Sequence, residues 1–95
     1  MFARSSSWIG PPEALQKWED NASGVASMIA GLPGTKGSIF LLDRAGGTAM
    51  TLTLWDSEQA AHVSDENAEA SRAATVAATG VELADRGRYE VVSPL

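Results

Sequence analysis

The stretch "SIFLLDRAGGTAMTLTLWDSEQAAH", residues 38–62, decides the fold. Its first part is continuously apolar, AGG is a turn and TAMTLTLW alternates apolar with polar residues, so the pattern predicts an antiparallel hairpin over residues 37–55. In the polar run that follows, Asp56 or Ser57 can cap a second helix. A further cap-like sequence predicts that this helix, residues 57–78, breaks near Ser64.

The residues before the hairpin predict a strand followed by a helix. Residues 2–8 alternate in size and end before Pro11 and Pro12, which suit the first turn of a helix. Apolar side chains then recur at spacings of three and four residues, the period of an amphipathic helix. They are Leu15, Trp18, Ala22, Val25, Ile29 and Leu32. The sequence GLPG, residues 31–34, ends this helix.

The sequence GRYEVV, residues 87–92, predicts the last strand. The order is then β-α-β-β-α-β, which predicts one ferredoxin-like α+β domain over residues 1–95 with an antiparallel sheet. Helices on one side leave the other sheet face uncovered. Met50, Leu52 and Leu54 lie on one side of the third predicted strand, and we expect them to pack against the same face of a second copy of the chain.

Composition excludes several classes of function. The 95 residues include no cysteine, which removes disulfides, thiolate nucleophiles and cysteine-based metal sites. Seven basic against 12 acidic residues give a formal charge of −5, which disfavours nucleic acid as a partner. No apolar run is long enough for a membrane span or a signal peptide, so we expect a cytoplasmic protein with no membrane partner. The glycines form no nucleotide-binding pattern.

Two segments carry a resemblance to a known group. "GLPGTKGSIFLLDRAGG", residues 31–47, and "TLTLWDSEQA", residues 51–60, resemble the dimeric α+β barrel proteins of the antibiotic-biosynthesis monooxygenase-like type. The resemblance implies a homodimer paired through its sheets and a cavity for a small hydrophobic or aromatic ligand between sheet and helices. Members include oxygenases, haem degraders, isomerase-like enzymes and proteins without an assigned role, so the fold alone does not fix the activity.

The best understood oxygenases of that group imply a chemistry without cofactors. They need neither metal nor flavin, because a deprotonated polycyclic phenol reacts with oxygen directly. The protein excludes water, orients the substrate and stabilises the developing negative charge. The resemblance therefore implies that this chain has no cofactor and no metal.

Two residues can be matched to the pocket of those oxygenases. Trp55 matches a pocket tryptophan and would wall the cavity and donate its indole N–H to a substrate oxygen; alternatively it plugs the junction of strand and helix. Arg72 matches an arginine that would hold an enolate or peroxide anion; alternatively it lies on a solvated helix face or pairs with Glu69. An asparagine and a tyrosine of those oxygenases fall at Thr51 and Ala61, so the same substrate does not follow.

The histidine content bears on haem and on base catalysis. The axial histidine and neighbouring tryptophan of the haem-degrading branch fall near Ala73 and Ser64, so haem ligation by that pattern is not expected. His62, the only histidine, would suit a general base since an unperturbed imidazole has a pKa of about 6.5. The alternative is a solvated residue on the second helix. No second histidine or nearby carboxylate predicts a metal site.

Three further polar residues are candidates for substrate binding. Thr51 and Thr53 share a strand face with Trp55, and Tyr89 could present its phenol to the pocket. Each can equally belong to the wet side of an ordinary strand.

Two functions from different classes remain open. One is a cofactor-independent oxygenase, or a related proton-transfer enzyme, acting on an aromatic or enolisable substrate. The other is a non-catalytic dimeric barrel that binds a hydrophobic metabolite or has a stress or accessory role.

Overall fold

The structure is a computed structural model that describes residues 1–93. The predicted domain boundary at residue 95 lies outside the described residues. Within them, the predicted order of elements is confirmed, with the second helix divided at Ser64. The elements are β1 (Phe2–Ile9), α1 (Pro12–Ala30), β2 (Thr35–Asp43), β3 (Thr48–Trp55), α2 (Glu58–Val63), α3 (Asp65–Thr79) and β4 (Glu82–Glu90). No helix in this part of the chain has the length and apolar character needed to cross a membrane.

The four strands form one antiparallel sheet in the order β2-β3-β1-β4. The central strand β1 pairs with β3 on one side and β4 on the other, while α1 packs on β2 and against α3. This arrangement confirms the predicted ferredoxin-like α+β fold.

Local sequence explains where the helices begin and end. Pro11 and Pro12 open α1, and the Ser57 hydroxyl caps α2 by accepting a hydrogen bond of 3.1 Å from the Ala60 N–H. Gly34 has a φ of 78°, and a Cβ built on it would lie 2.6 Å from the Ala60 Cβ. Glycine is therefore required where the end of α1 turns into β2 beside α2.

The last strand begins five residues earlier and ends two residues earlier than the sequence predicts. We predicted residues 87–92, whereas β4 covers Glu82–Glu90. Almost every residue of β4 is exposed, so residues 82–86 have no buried face that would give the sequence an apolar alternation. They are extended because they pair with β1, across a register shift after Ser7. Val91 lies beyond the strand, although its N–H still donates to the Met1 carbonyl.

The apolar core lies at one end of the helix-facing side of the sheet. Trp8, Leu15, Trp18 and Val81 are almost fully buried there in one cluster. Phe40 packs against this cluster, with its ring centroid 5.7 Å from that of Trp18. The opposite end of the same sheet face, near the start of β1 and the end of β3, is not filled by this cluster.

The other sheet face is apolar and uncovered in the single chain. Met50, Leu52 and Leu54 point to this side because they alternate with the helix-facing Thr51, Thr53 and Trp55 along β3. On the flanking strands, Leu41 is 48% and Tyr89 57% exposed. The sheet face predicted to meet a second copy therefore exists as an apolar surface.

Candidate functional site

A cavity of about 520 Å³ occupies the unfilled end between the sheet and the helices. Helix-facing residues of β1, β2 and β3 form its floor, and α1 and α3 form its walls. Four aromatic side chains line it: Trp8, Trp18, Phe40 and Trp55. This volume lies in the range of pockets that enclose small organic ligands.

The helix residues at the cavity explain the periodic stripe found in the sequence. Ala22, Val25 and Leu32 belong to that stripe but stay partly exposed, because they face the cavity instead of another side chain. Across from them, α3 presents mostly small side chains, including Ala68, Ser71 and Ala74. Small residues on α3 leave the space open.

The charges at the cavity are all positive. Among the described residues that line it there is no aspartate or glutamate, while Arg4 and Arg72 both reach it. The chain as a whole carries a formal charge of −5. Arg4 is paired with the Asp65 carboxylate, so Arg72 is the charge at the cavity that favours a ligand with negative charge.

Arg4 connects the central strand to the break between α2 and α3. Its guanidinium donates to the Ala61 carbonyl, to the Ser64 hydroxyl at 2.8 Å and to the Asp65 carboxylate. The break at Ser64 frees the Ala61 carbonyl from regular helical bonding, and Arg4 and the Ser64 hydroxyl both donate to it. Arg4 thus fixes the start of α3.

Arg4 also stabilises the aromatic wall of the cavity. Its Cζ lies 5.7 Å from the centroid of the Trp55 ring, within the range of a cation–π contact. Burial lowers the pKa of Arg4, while the Asp65 carboxylate opposes that shift. An arginine stays protonated at neutral pH despite such a shift, so the cation remains beside Trp55.

Arg72 is the less neutralised of the two arginines. Its side chain is only 13% exposed, and its nearest carboxylate, on Glu69, lies at 3.7 Å, beyond hydrogen-bonding distance. Burial lowers the pKa of Arg72, and the positive charge of Arg86 lowers it further. A partly buried guanidinium next to another cation is stabilised by an anionic ligand.

The two threonines on the floor hold the two indole rings. Trp55 donates its indole N–H to the Thr53 hydroxyl at 3.0 Å, and Trp8 donates to the Thr51 hydroxyl at 3.3 Å. Trp55 is 1% exposed. The Trp55 indole N–H is already paired in this structure. The Thr51 hydroxyl accepts a hydrogen bond from Trp8 and can still donate its own proton to a ligand.

His62 and Tyr89 lie outside the cavity. The His62 side chain is 72% exposed and its Nδ1 is 3.1 Å from the Asp65 carboxylate. Tyr89 is 57% exposed and pairs with Ala3 on the sheet face opposite the helices. The structure therefore brings Trp55, Arg72, Thr51 and Thr53 together at one cavity and places the other two candidates elsewhere.

Arg4 lies at the site but is not among the candidates predicted from the sequence. The signal was present in the alternation along β1. With Trp8 facing the helices, Ser6 and Arg4 must face them as well. An arginine at an inward position of a central strand needs a buried partner, and this need points to a site.

The comparisons with known proteins identify the fold. No protein-family model matches the chain, and no curated protein matches it. Among solved structures, a variant of SnoaB, a cofactor-independent oxygenase from Streptomyces nogalater, superposes with a TM-score of 0.72 at 16% identity, over 99% of this chain and 95% of that chain. The ActVA-Orf6 monooxygenase of Streptomyces coelicolor, in complex with nanaomycin D, superposes with a TM-score of 0.74 at 20% identity, over 99% of this chain and 89% of that chain.

A third similar structure is the haem degrader MhuD from Mycobacterium tuberculosis with two haems in its active site. It gives a TM-score of 0.73 at 24% identity, over 100% of this chain and 99% of that chain. The chain has the antibiotic-biosynthesis monooxygenase fold. The resemblance seen in the sequence is confirmed at this level, and the same fold holds different ligands in the proteins compared.

The cavity does not fit haem ligation. Haem iron is held by a histidine, cysteine, methionine or tyrosine side chain. Among the described lining residues, the only one of these is Met28, which is 51% exposed on α1. Within residues 1–93 there is also no group of three or more histidine, cysteine or acidic residues that could hold a metal ion.

Proposed function

We propose that the cavity binds a small aromatic or enolisable compound as its anion and that the protein oxygenates this compound without a cofactor. The observation that carries the proposal is an aromatic-walled cavity in which Arg72 is partly buried with no carboxylate within hydrogen-bonding distance. SnoaB, a cofactor-independent oxygenase, has the same fold, which supports the proposal by analogy.

Each part of the cavity has a role in this reaction. Trp18, Phe40 and Trp55 enclose a planar ring system and exclude water, which strengthens electrostatic interactions inside the cavity. Arg72 pairs with the phenolate or enolate oxygen. It then stabilises the peroxide anion that forms when the electron-rich ring carbon adds to oxygen.

The overall reaction needs no other reductant. A ring CH₂ group and one O₂ become a carbonyl group and one water molecule. The substrate carbon is oxidised and oxygen is reduced, with one oxygen atom retained in the carbonyl and the other leaving in water. The two substrate protons leave with that water.

The cavity offers no side-chain base for removing the first proton. None of its described lining residues is a histidine, aspartate, glutamate, lysine or tyrosine. The substrate must therefore arrive ionised or lose its proton to water while Arg72 stabilises the anion. This restricts the substrates to acidic phenols and enolisable ketones.

The same observation favours a second candidate, a non-catalytic protein that binds a hydrophobic metabolite. The Trp55 N–H is already bonded to Thr53, and no titratable base is at hand in the described lining. Binding of an aromatic anion without turnover requires neither a free indole N–H nor a side-chain base.

We further propose that the protein is a homodimer paired through the apolar sheet face. Met50, Leu52 and Leu54 stand together on β3, with Ile39 and Leu41 beside them on β2. An isolated chain of this size leaves much apolar surface in water, and pairing two such faces buries it.

Oxygen uptake distinguishes the two functions. We expect an oxygen electrode to record oxygen consumption that depends on 1,8-dihydroxyanthrone and is faster than the uncatalysed rate. Arg72→Gln should lower kcat by about 10²-fold, as loss of one preorganised charge partner does in other enzymes. Trp55→Phe should chiefly raise KM, and the exposed Arg44→Gln serves as control. Binding of the anthrone with no enhanced uptake by the wild type would instead select the non-catalytic binder.

A further inference from the structure

A second recess, which we call the charged recess, opens beside the cavity between α3 and β4. It has a volume of about 700 Å³ and is lined by four arginines, three acidic residues and Gly87. Arg4 and Arg72 line both spaces. The side chains of Arg4 and Arg72 therefore lie at the boundary between the cavity and the charged recess.

The first pair of arginines in the recess shares one carboxylate. Arg88 donates to Asp65 at 2.8 and 2.9 Å, and Arg4 donates to the same carboxylate. These interactions hold the pKa of Asp65 below its usual range, although partial burial acts in the opposite direction. The Asp65 carboxylate is thus already paired with two arginines, and His62 Nδ1 lies 3.1 Å from it as well.

The second pair also shares one carboxylate but less completely. Arg86 donates to Glu69 at 2.8 Å, while Arg72 stays at 3.7 Å from the same oxygen. The two guanidinium groups face one carboxylate, and repulsion from Arg86 contributes to the lowered pKa of Arg72. One further anionic group between Arg72 and Arg86 would balance the charges.

Resting on the proposed function, we infer that the charged recess binds an anionic substituent of the aromatic ligand, a carboxylate or sulfonate, between Arg72 and Arg86. The ligand is then an aromatic acid with its ring system in the cavity and its acidic arm in the recess. Arg72, which lines both spaces, contacts the ring oxygen and one side of the acidic arm, and Arg86 pairs with the other side of the arm. Guanidinium groups suit such planar, bidentate recognition of carboxylates.

Two fluorescent probes with the same skeleton test this inference. N-phenyl-1-naphthylamine is uncharged, and 8-anilino-1-naphthalenesulfonate is the same molecule with an added sulfonate. Both fluoresce on entering an apolar cavity. We expect Arg86→Gln to weaken binding of the sulfonate probe about tenfold, which corresponds to the loss of one charged hydrogen bond. The affinity for the uncharged probe should change by no more than about twofold. Removing the competing carboxylate in Glu69→Gln should strengthen binding of the sulfonate probe.

The control and the adverse outcomes separate this inference from the proposed function. Arg44→Gln removes an exposed arginine from the far side of the molecule and should change neither probe. A sulfonate affinity that is unchanged in Arg86→Gln, or that falls equally in Arg44→Gln, overturns the recess subsite while the uncharged probe still reports the cavity. If neither probe binds the wild type, the proposed function fails together with this inference.

Discussion

Replacing Arg4 by methionine tests the contact that fixes the start of α3. The Arg4 side chain is 9% exposed. Methionine keeps most of its apolar stem and removes the guanidinium. Three acceptors lose a donor: the Ala61 carbonyl, the Ser64 hydroxyl and the Asp65 carboxylate. Each keeps at least one other partner, because the Ser64 hydroxyl still donates to the Ala61 carbonyl, and Arg88 and His62 stay beside Asp65.

The size of the effect follows from these three bonds. A hydrogen bond contributes about 1 kcal/mol net, so we expect the free energy of unfolding to fall by about 2–3 kcal/mol. In a domain of 60–100 residues, 1 kcal/mol changes Tm by about 4–8 °C, which predicts a fall of about 10–20 °C.

Thermal unfolding followed by circular dichroism, at equal protomer concentration for all variants, measures this difference. Arg44→Met is the matched control, because Arg44 pairs with Glu19 at the surface with both side chains about half exposed. An exposed pair of this kind contributes little, so its Tm should shift by about 2 °C or less. Equal shifts in the two variants would refute the assignment of Arg4 as the residue that holds the α2–α3 junction.

Three further predictions concern the sheet face, the glycines and the response to pH. If two copies pair through the sheet face as proposed, light scattering at micromolar concentration should give a dimer for the wild type and a monomer for Leu52→Glu, and a wild type that is already monomeric would refute the pairing. Gly34→Ala should destabilise the fold by about 1–3 kcal/mol because of its φ of 78° and the close Ala60, whereas Gly24→Ala, with open space around it in α1, should stabilise it by about 0.5–1 kcal/mol in urea unfolding. Because the folded pKa of Asp65 lies below its unfolded value of about 3.9, its contribution is present above pH 4 and is lost as pH falls through the folded pKa, so the stability gap between wild type and Asp65→Asn should shrink between pH 7 and pH 3.

The elements with strong periodicity could be predicted from the sequence. The alternation of TAMTLTLW fixed β3, and the cap-like residues near Ser64 predicted the break between α2 and α3. The first part of β4 could not be predicted, because its residues are polar and exposed. They are held extended by pairing with β1 and carry no pattern of burial of their own.

The site could be predicted only in part for a related reason. Trp55 and Arg72 were found because a family resemblance matched them to pocket positions. Arg4 depends on contacts with residues about 60 positions away, at the α2–α3 junction, which no local pattern reveals. The cavity was expected only from the family resemblance. The residue pattern does not show it, because Val25 in a helix stripe looks the same whether it packs on a side chain or borders an open space.

A crystal structure of the protein grown without oxygen in the presence of 1,8-dihydroxyanthrone tests the central claim most directly. The claim predicts the ring system between Trp18, Phe40 and Trp55, with a ligand oxygen about 2.7–3.2 Å from the Arg72 guanidinium. A ligand on the open sheet face, or one in the cavity whose oxygen atoms point away from Arg72, would contradict it.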